Sequence, residues 1–237
     1  MPSNARASLS LEILGDADAV ATRGAAVMAA ELRAAVAARG RATLAISGGR
    51  TPLRAFALLA GAELPWSAID VLQVDERCTP PGHEERNALQ LARAFGAVAA
   101  RWPEAFHWMP VEDVDARAGA RRYAATLARV AGNPPVVDVL QLGLGADGHT
   151  ASLFPGLALE AVTPTVGLTP SPGSWPRMTL TLPVLNAARS IVWLVSGRDK
   201  RAALEGLLAG EPAVVGSSVR RSGARILADR DAAEPAA

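Results

Sequence analysis

Cysteine is nearly missing from this chain. Cys78 stands alone among 237 residues, which excludes an intramolecular disulfide and a cysteine-built zinc site and makes a reducing compartment the expected one. An excess of charge of either sign is missing too. With 24 basic and 23 acidic side chains the formal charge is +1, so electrostatics gives no case for a nucleic-acid or membrane partner. The N-terminus, MPSNARASLS, lacks the apolar core of a signal peptide, and the apolar stretch from Ala17 is broken by Asp18, Arg23, Glu31 and Arg33. Also absent are a G-x-S-x-G elbow, an H-E-x-x-H motif and a cysteine beside a histidine, which leaves the usual covalent and zinc hydrolase routes without support. What is present in quantity is apolar residues, at 50%, enough for a large core. The expectation is one cytoplasmic α/β domain over residues 1–237, with a frayed tail from about residue 230.

Strand-like runs fall at residues 9–14, 42–46, 69–74, 136–142, 191–195 and 224–227, with helix-like segments between most of them. This alternation predicts a doubly wound, mostly parallel, Rossmann-like α/β sheet with helices on both faces. The alanine-rich segment 17–38, closed by Gly40, and the segment 116–130, closed by Gly132, Asn133 and Pro134, read as scaffold helices. The turn-rich string PTVGLTPSPGSWP across 164–176 predicts a loop or a short antiparallel excursion over one sheet end, a candidate lid.

The most informative stretch is 136–155, VVDVLQLGLGADGHTASLFP, where an apolar strand empties into a glycine-rich turn carrying Asp147 and His149. Open α/β sheets bind ligands at the carboxyl ends of such strands, and a histidine there, two residues after a carboxylate, is a candidate general base. Gly143, Gly145 and Gly148 imitate a dinucleotide fingerprint, but Pro155 and Gly156 break the helix that such a motif should open. The string GLGADGHT also imitates a P-loop, with histidine in place of the lysine that reaches the terminal phosphates.

Two more turns collect polar groups after strands. The turn Ser47-Gly48-Gly49-Arg50-Thr51-Pro52 reads as an anion cradle at a helix N-terminus, with Thr51 as the cap and Pro52 in the first helical position. Asp75-Glu76-Arg77 follows the run IDVLQV, either as a solvated loop or as a functional cluster at the shared sheet edge. Lys200, the only lysine among 24 Lys and Arg side chains, follows the strand IVWLV and invites a role as a compact charge on a phosphate. His83 and His107 read as structural or surface groups.

Taken in order, SGGRTP, DERCTPP with Asn87 downstream, GLGADGHTASLFP, RMTLT and the lysine after GRD resemble the 6-phosphogluconolactonase family, from about Leu44 to Lys200. The resemblance implies a fold shared with sugar-phosphate isomerases and deaminases, hydrolysis of 6-phosphogluconolactone to 6-phosphogluconate, and no metal or organic cofactor. It assigns Ser47, Gly48, Gly49 and Thr51 to a phosphate cradle, Arg177 and Lys200 to its charge, His149 to general base and Asp147 to orienting the imidazole. Asp75 is the other carboxylate able to reach that ring. Arg50 stands where serine is common in the family and either adds a phosphate contact or faces solvent; Arg86 stands where a small residue is common. A δ-lactone is an activated ester, so water helped by one base suffices, with Arg77 stabilising the carbonyl oxygen or holding substrate. The partner expected is a small sugar-phosphate lactone, and the protein is expected to be a monomer. A deaminase would carry a glutamate where Phe154 stands, and a sugar-phosphate-sensing regulator would need a helix-turn-helix that the residues before Ala42 leave no room for.

Overall fold

The computed structural model describes residues 9–112, 115–171 and 175–234. Along the chain run β1 (Ser10–Leu14), α1 (Ala17–Arg39), β2 (Ala42–Ile46), α2 (Arg50–Ala60), β3 (Ile69–Gln73), β4 (Asp75–Arg77), α3 (Asn87–Phe95), α4 (Ala97–Arg101) and β5 (Phe106–His107). There follow α5 (Ala116–Ala131), β6 (Val139–Leu142), β7 (Glu160–Ala161), β8 (Val166–Thr169), β9 (Arg177–Leu180), α6 (Leu182–Ala187), β10 (Ser190–Val195), α7 (Arg201–Ala209), β11 (Ala224–Asp229) and α8 (Arg230–Ala233). Among the described residues no helix is long and apolar enough to cross a membrane.

Seven strands form a parallel sheet in the order β1-β11-β10-β6-β2-β3-β5. Its inner strands are apolar on both faces because helices cover both. Alternation along each strand divides the core in two: Leu44, Ile46, Val71, Val192 and Leu194 meet α1, α2 and α3. Ala45, Leu72, Ile191, Trp193 and Val195 meet α5, α6 and α7 on the other face. Each such fully buried aliphatic or aromatic side chain contributes roughly 1.5–3 kcal/mol. The expected doubly wound sheet is therefore the sheet found.

Winding starts near the middle: β2 leads outward to β3 and β5, whereas β6 leads the other way to β10 and β11. The chain thus leaves neighbouring strands β2 and β6 in opposite directions, and a crevice opens above their carboxyl ends. A second, antiparallel sheet of four short strands, β4-β9-β8-β7, joins the first at Val74. The amide of Val74 donates to the Ile46 carbonyl of the large sheet at 2.8 Å, and its carbonyl accepts from Leu180 of the small one at 2.8 Å.

Four expectations need adjustment. The strand expected from residue 136 starts at Val139, because on the side of β2 Asp138 and Thr43 pair through side chains in place of ladder bonds: the Asp138 carboxylate accepts the Thr43 amide and the Asp138 amide donates to the Thr43 hydroxyl, both at 2.9 Å. Asp75-Glu76-Arg77 is not a loop; it is β4, paired in register with β9. Within 164–176, Val166–Thr169 is a strand of the small sheet, so an antiparallel excursion is present, while residues 172–174 lie outside the described residues. The tail expected to fray from 230 instead begins with a helical turn capped by Asp229, which accepts from the Ala232 amide at 2.9 Å, with Ala232 buried. Residues 235–237 lie outside the described residues.

Candidate active site

Four turns meet above the carboxyl ends of β10, β6, β2 and β3, four adjacent strands, and with the edge of the small sheet they enclose a cleft of about 460 Å³. Residues 47–51, Asp75, Arg77, His149, Arg177 and Lys200 all line it. Asp147 is the one expected site residue that does not line it and stands behind the imidazole instead.

The His149 Nδ1 lies 2.5 Å from Asp147 Oδ1, which also accepts the His149 backbone N–H at 3.1 Å. A carboxylate at Nδ1 selects the tautomer with its proton there, and Nε2, without a hydrogen-bond partner among the described residues, keeps its lone pair for a base. Burial pushes the Asp147 carboxyl up, but the His149 amide and ring outweigh it and hold the group below the ordinary carboxylate value. Gly148 makes the turn at φ 84°, where a side chain would be strained. The ring of Phe154 packs on the imidazole with centroids 4.7 Å apart. Of the two carboxylates that sequence alone left open as partners of the imidazole, Asp147 makes the contact. Asp75 instead accepts from Ser152 Oγ at 2.6 Å, and its burial pushes its pKa up.

The anion cradle differs from expectation in one respect. Helix α2 starts at Arg50, with Gly49 (φ 120°) in the cap position and no capping side chain, so Thr51 is the second helical residue and Pro52 the third. The N–H groups of that first turn are left for a ligand. Ser47 is tied back to β6: its amide donates to Gln141 Oε1 at 3.0 Å and its hydroxyl to the Gln141 carbonyl at 3.3 Å. The turn therefore offers an anion its backbone N–H groups rather than the Ser47 hydroxyl.

Facing it is a concentration of positive charge. The register of β4 and β9 sets Arg77 directly opposite Arg177, an arrangement that destabilises a sheet unless an anion lies near. Burial, and then the Arg77 charge, push the Arg177 guanidinium below its ordinary pKa, and its Nε is buried without a partner among the described residues. Lys200 pairs with Asp199 at 3.1 Å. Ser196, also on the cleft wall, has a buried hydroxyl without a partner.

Two residues that the sequence reading left without a role organise this wall. Glu76 is fully buried. Its Oε1 accepts from the amides of Arg77 (2.7 Å) and Asn87 (2.8 Å), and its Oε2 from Ala88 N (2.7 Å) and Gln73 Nε2 (2.9 Å). It thus caps α3 from outside, with Arg86, the unusual neighbour of Asn87, as a buried cation 3.6 Å away. Asn87 lines the cleft and accepts from Arg77 Nη1 at 2.7 Å. The available signal was the strand alternation, which sends Glu76 away from the side of Asp75 and Arg77. His83 packs on Trp175, and His107 lies 2.7 Å from Asp70. Neither lines the cleft.

Fold and cleft together define a doubly wound α/β protein whose cleft brings a histidine–aspartate pair, an uncapped helix N-terminus and several cationic side chains together. Residues 15–223 match the family of glucosamine-6-phosphate isomerases/6-phosphogluconolactonase, and the chain belongs to that family. It is 40% identical to a 6-phosphogluconolactonase of Synechocystis over 182 residues, 75% of each chain. With the 6-phosphogluconolactonase of Mycobacterium tuberculosis it shares 34% identity over 241 aligned positions, 95% of this chain and 98% of that one. The crystal structure of 6-phosphogluconolactonase from Leishmania guyanensis superposes with a TM-score of 0.80 at 25% identity, covering 97% of this chain and 99% of the other.

Proposed function

We propose that this chain hydrolyses 6-phospho-D-glucono-1,5-lactone to 6-phosphogluconate in the oxidative pentose phosphate pathway. The observation that carries the reading is the meeting, in one cleft, of the imidazole of His149 and the uncapped first turn of α2. The phosphate lies against residues 47–51, with Arg177, Lys200 and Arg50 supplying charge, and this remote binding energy positions the lactone. Water attacks C1 as Nε2 of His149 takes its proton; Arg77 stabilises the developing oxyanion. The C1–O5 bond then breaks, and the ring oxygen leaves with the proton returned by the imidazolium. Asp147 holds the imidazole in its tautomer, and Asp75 lines the wall beside Arg77. One copy of the chain contains every group in this scheme, which supports a monomer, and the lone thiol of Cys78 suits the cytoplasm.

The test is His149→Ala, assayed on freshly made lactone against its spontaneous hydrolysis, with glucosamine 6-phosphate run alongside. Turnover should fall by ~10²- to 10⁴-fold, the usual worth of a general base, while 6-phosphogluconate still binds. Unchanged turnover removes His149 from the mechanism, and turnover of glucosamine 6-phosphate by the unsubstituted protein would replace lactone hydrolysis with deamination.

A further inference from the structure

We propose, building on the role given to Arg77 above, that Asn87 is a positioning residue whose side-chain amide, locked in place through the buried Glu76, holds the Arg77 guanidinium in the cleft. Left to itself Arg77 has reason to leave. Arg177, of like charge, stands opposite it, and the half-exposed Glu85 carboxylate waits at the rim, 3.9 Å from its Nε. Against both stands the 2.7 Å bond from Arg77 Nη1 to Asn87 Oδ1. A second bond from the same nitrogen, to the Glu85 carbonyl at 3.1 Å, uses its other hydrogen. The two Nη2 hydrogens have no acceptor among the described residues and remain for a developing oxyanion.

The aim of Asn87 is itself fixed from three sides. Glu76 accepts the N–H groups of Asn87 and Ala88, the first two residues of α3, and so anchors the backbone. Asn87 Nδ2 donates to the Asp75 carbonyl at 3.1 Å, which decides that the oxygen end of the amide faces Arg77. Aspartate could accept from Arg77 but could not make that second bond. Gly48 closes the third side: a Cβ there would lie 2.6 Å from Asn87 Oδ1, so the cradle and the amide interlock only because residue 48 has no side chain. Oxyanion group and phosphate cradle are thereby set at a fixed separation, which suits a substrate whose carbonyl and phosphate are joined by a ring.

A double-mutant cycle on lactone hydrolysis tests this, with folding checked by thermal melts. Asn87→Ala should lower kcat/KM by ~10- to 100-fold, the scale of a charge-assisted hydrogen bond, and mainly through kcat. In an Arg77→Ala background the same change should cost less than about twofold, because the group it positions is gone. Glu85→Gln should restore part of the activity of Asn87→Ala by removing the competing carboxylate. If Asn87→Ala does not fold, the cycle is run with Asn87→Gln, which displaces the amide by one methylene. Equal losses in both backgrounds overturn the positioning role and leave the proposed function standing. Full activity in Arg77→Ala overturns the role of Arg77 and this inference with it.

Discussion

Replacing Gly145 with alanine should disable the base while sparing the fold. Gly145 is not among the glycines with positive φ, so its backbone accepts a side chain. The space does not: a Cβ there would stand 2.5 Å from Asp147 Oδ1 and closer still to the Nδ1 of His149. Either the imidazole or the carboxylate must move, and the 2.5 Å contact between them is lost. With it go the tautomer and the aim of Nε2, so the full ~10²- to 10⁴-fold contribution of a general base is at stake. At about 1.4 kcal/mol per factor of ten, that raises the barrier by roughly 3–5 kcal/mol. Stability should hardly change, because both members of the pair are partly exposed and a polar contact at such a surface contributes about 0–1 kcal/mol. Gly→Ala returns roughly 0.4–1 kcal/mol through the unfolded chain. The assay is kcat/KM on fresh lactone, with a thermal melt and a 6-phosphogluconate titration on the same preparation. Activity within about threefold of the unsubstituted protein would refute the claim that the Asp147–His149 geometry drives hydrolysis.

Two further outcomes follow from the charges on the cleft wall. Arg177→Met should weaken 6-phosphogluconate binding yet raise the melting temperature of the free protein, because it removes a half-buried guanidinium set against Arg77; a gain of about 0.5–2 kcal/mol is the scale expected, and a lower melting temperature counts against it. Asp75→Asn should stabilise the fold at neutral pH by an amount that vanishes in acid. Burial holds a proton on folded Asp75 more tightly than on the unfolded chain, so both states are protonated below the ordinary carboxylate range. As pH rises through that range the unfolded chain ionises first and the native protein loses stability; melts from pH 3 to 7 that show a pH-independent difference would contradict this.

Much of this arrangement was legible from the chain because the signals were local. Helix α1, strand β2 and the strand before His149 each stand on a run of one hydrophobic type with a capping or turn residue at its end. The four turns converge because their strands are adjacent, and an alternating α/β pattern already limits those strands to few orders. Strand β4 was not legible, since three charges in a row have no strand signature and its status comes from pairing with β9, far along the chain. For the same reason the sequence left Glu76 between a solvated loop and a functional cluster; only the N-terminus of α3 explains how a carboxylate can be fully buried there. The cap of α2 was misplaced by one residue pair because Thr51 and Pro52 are good starting residues, and nothing local says that Gly49 turns the chain earlier.

The two sheets divide the chemistry in a way that explains their junction. His149 and residues 47–51 stand on turns of the large parallel sheet, whose strands are packed from both sides. Arg77 and Arg177 stand on the small sheet, which reaches the cleft only because β3 continues through Val74 into β4. Around the cleft, opposed guanidiniums stand on the small sheet, while turns of the large sheet carry a buried Ser196 hydroxyl without a partner among the described residues and Ala151 at φ 52°, each unfavourable by itself. In the function proposed above, the anionic oxygens of a phosphorylated lactone would lie near the opposed guanidiniums and offset their repulsion. On that proposal, the opposed charges that lower the stability of the fold at this wall are the ones that bind the substrate, and the parallel sheet beneath them, packed from both sides, bears their cost.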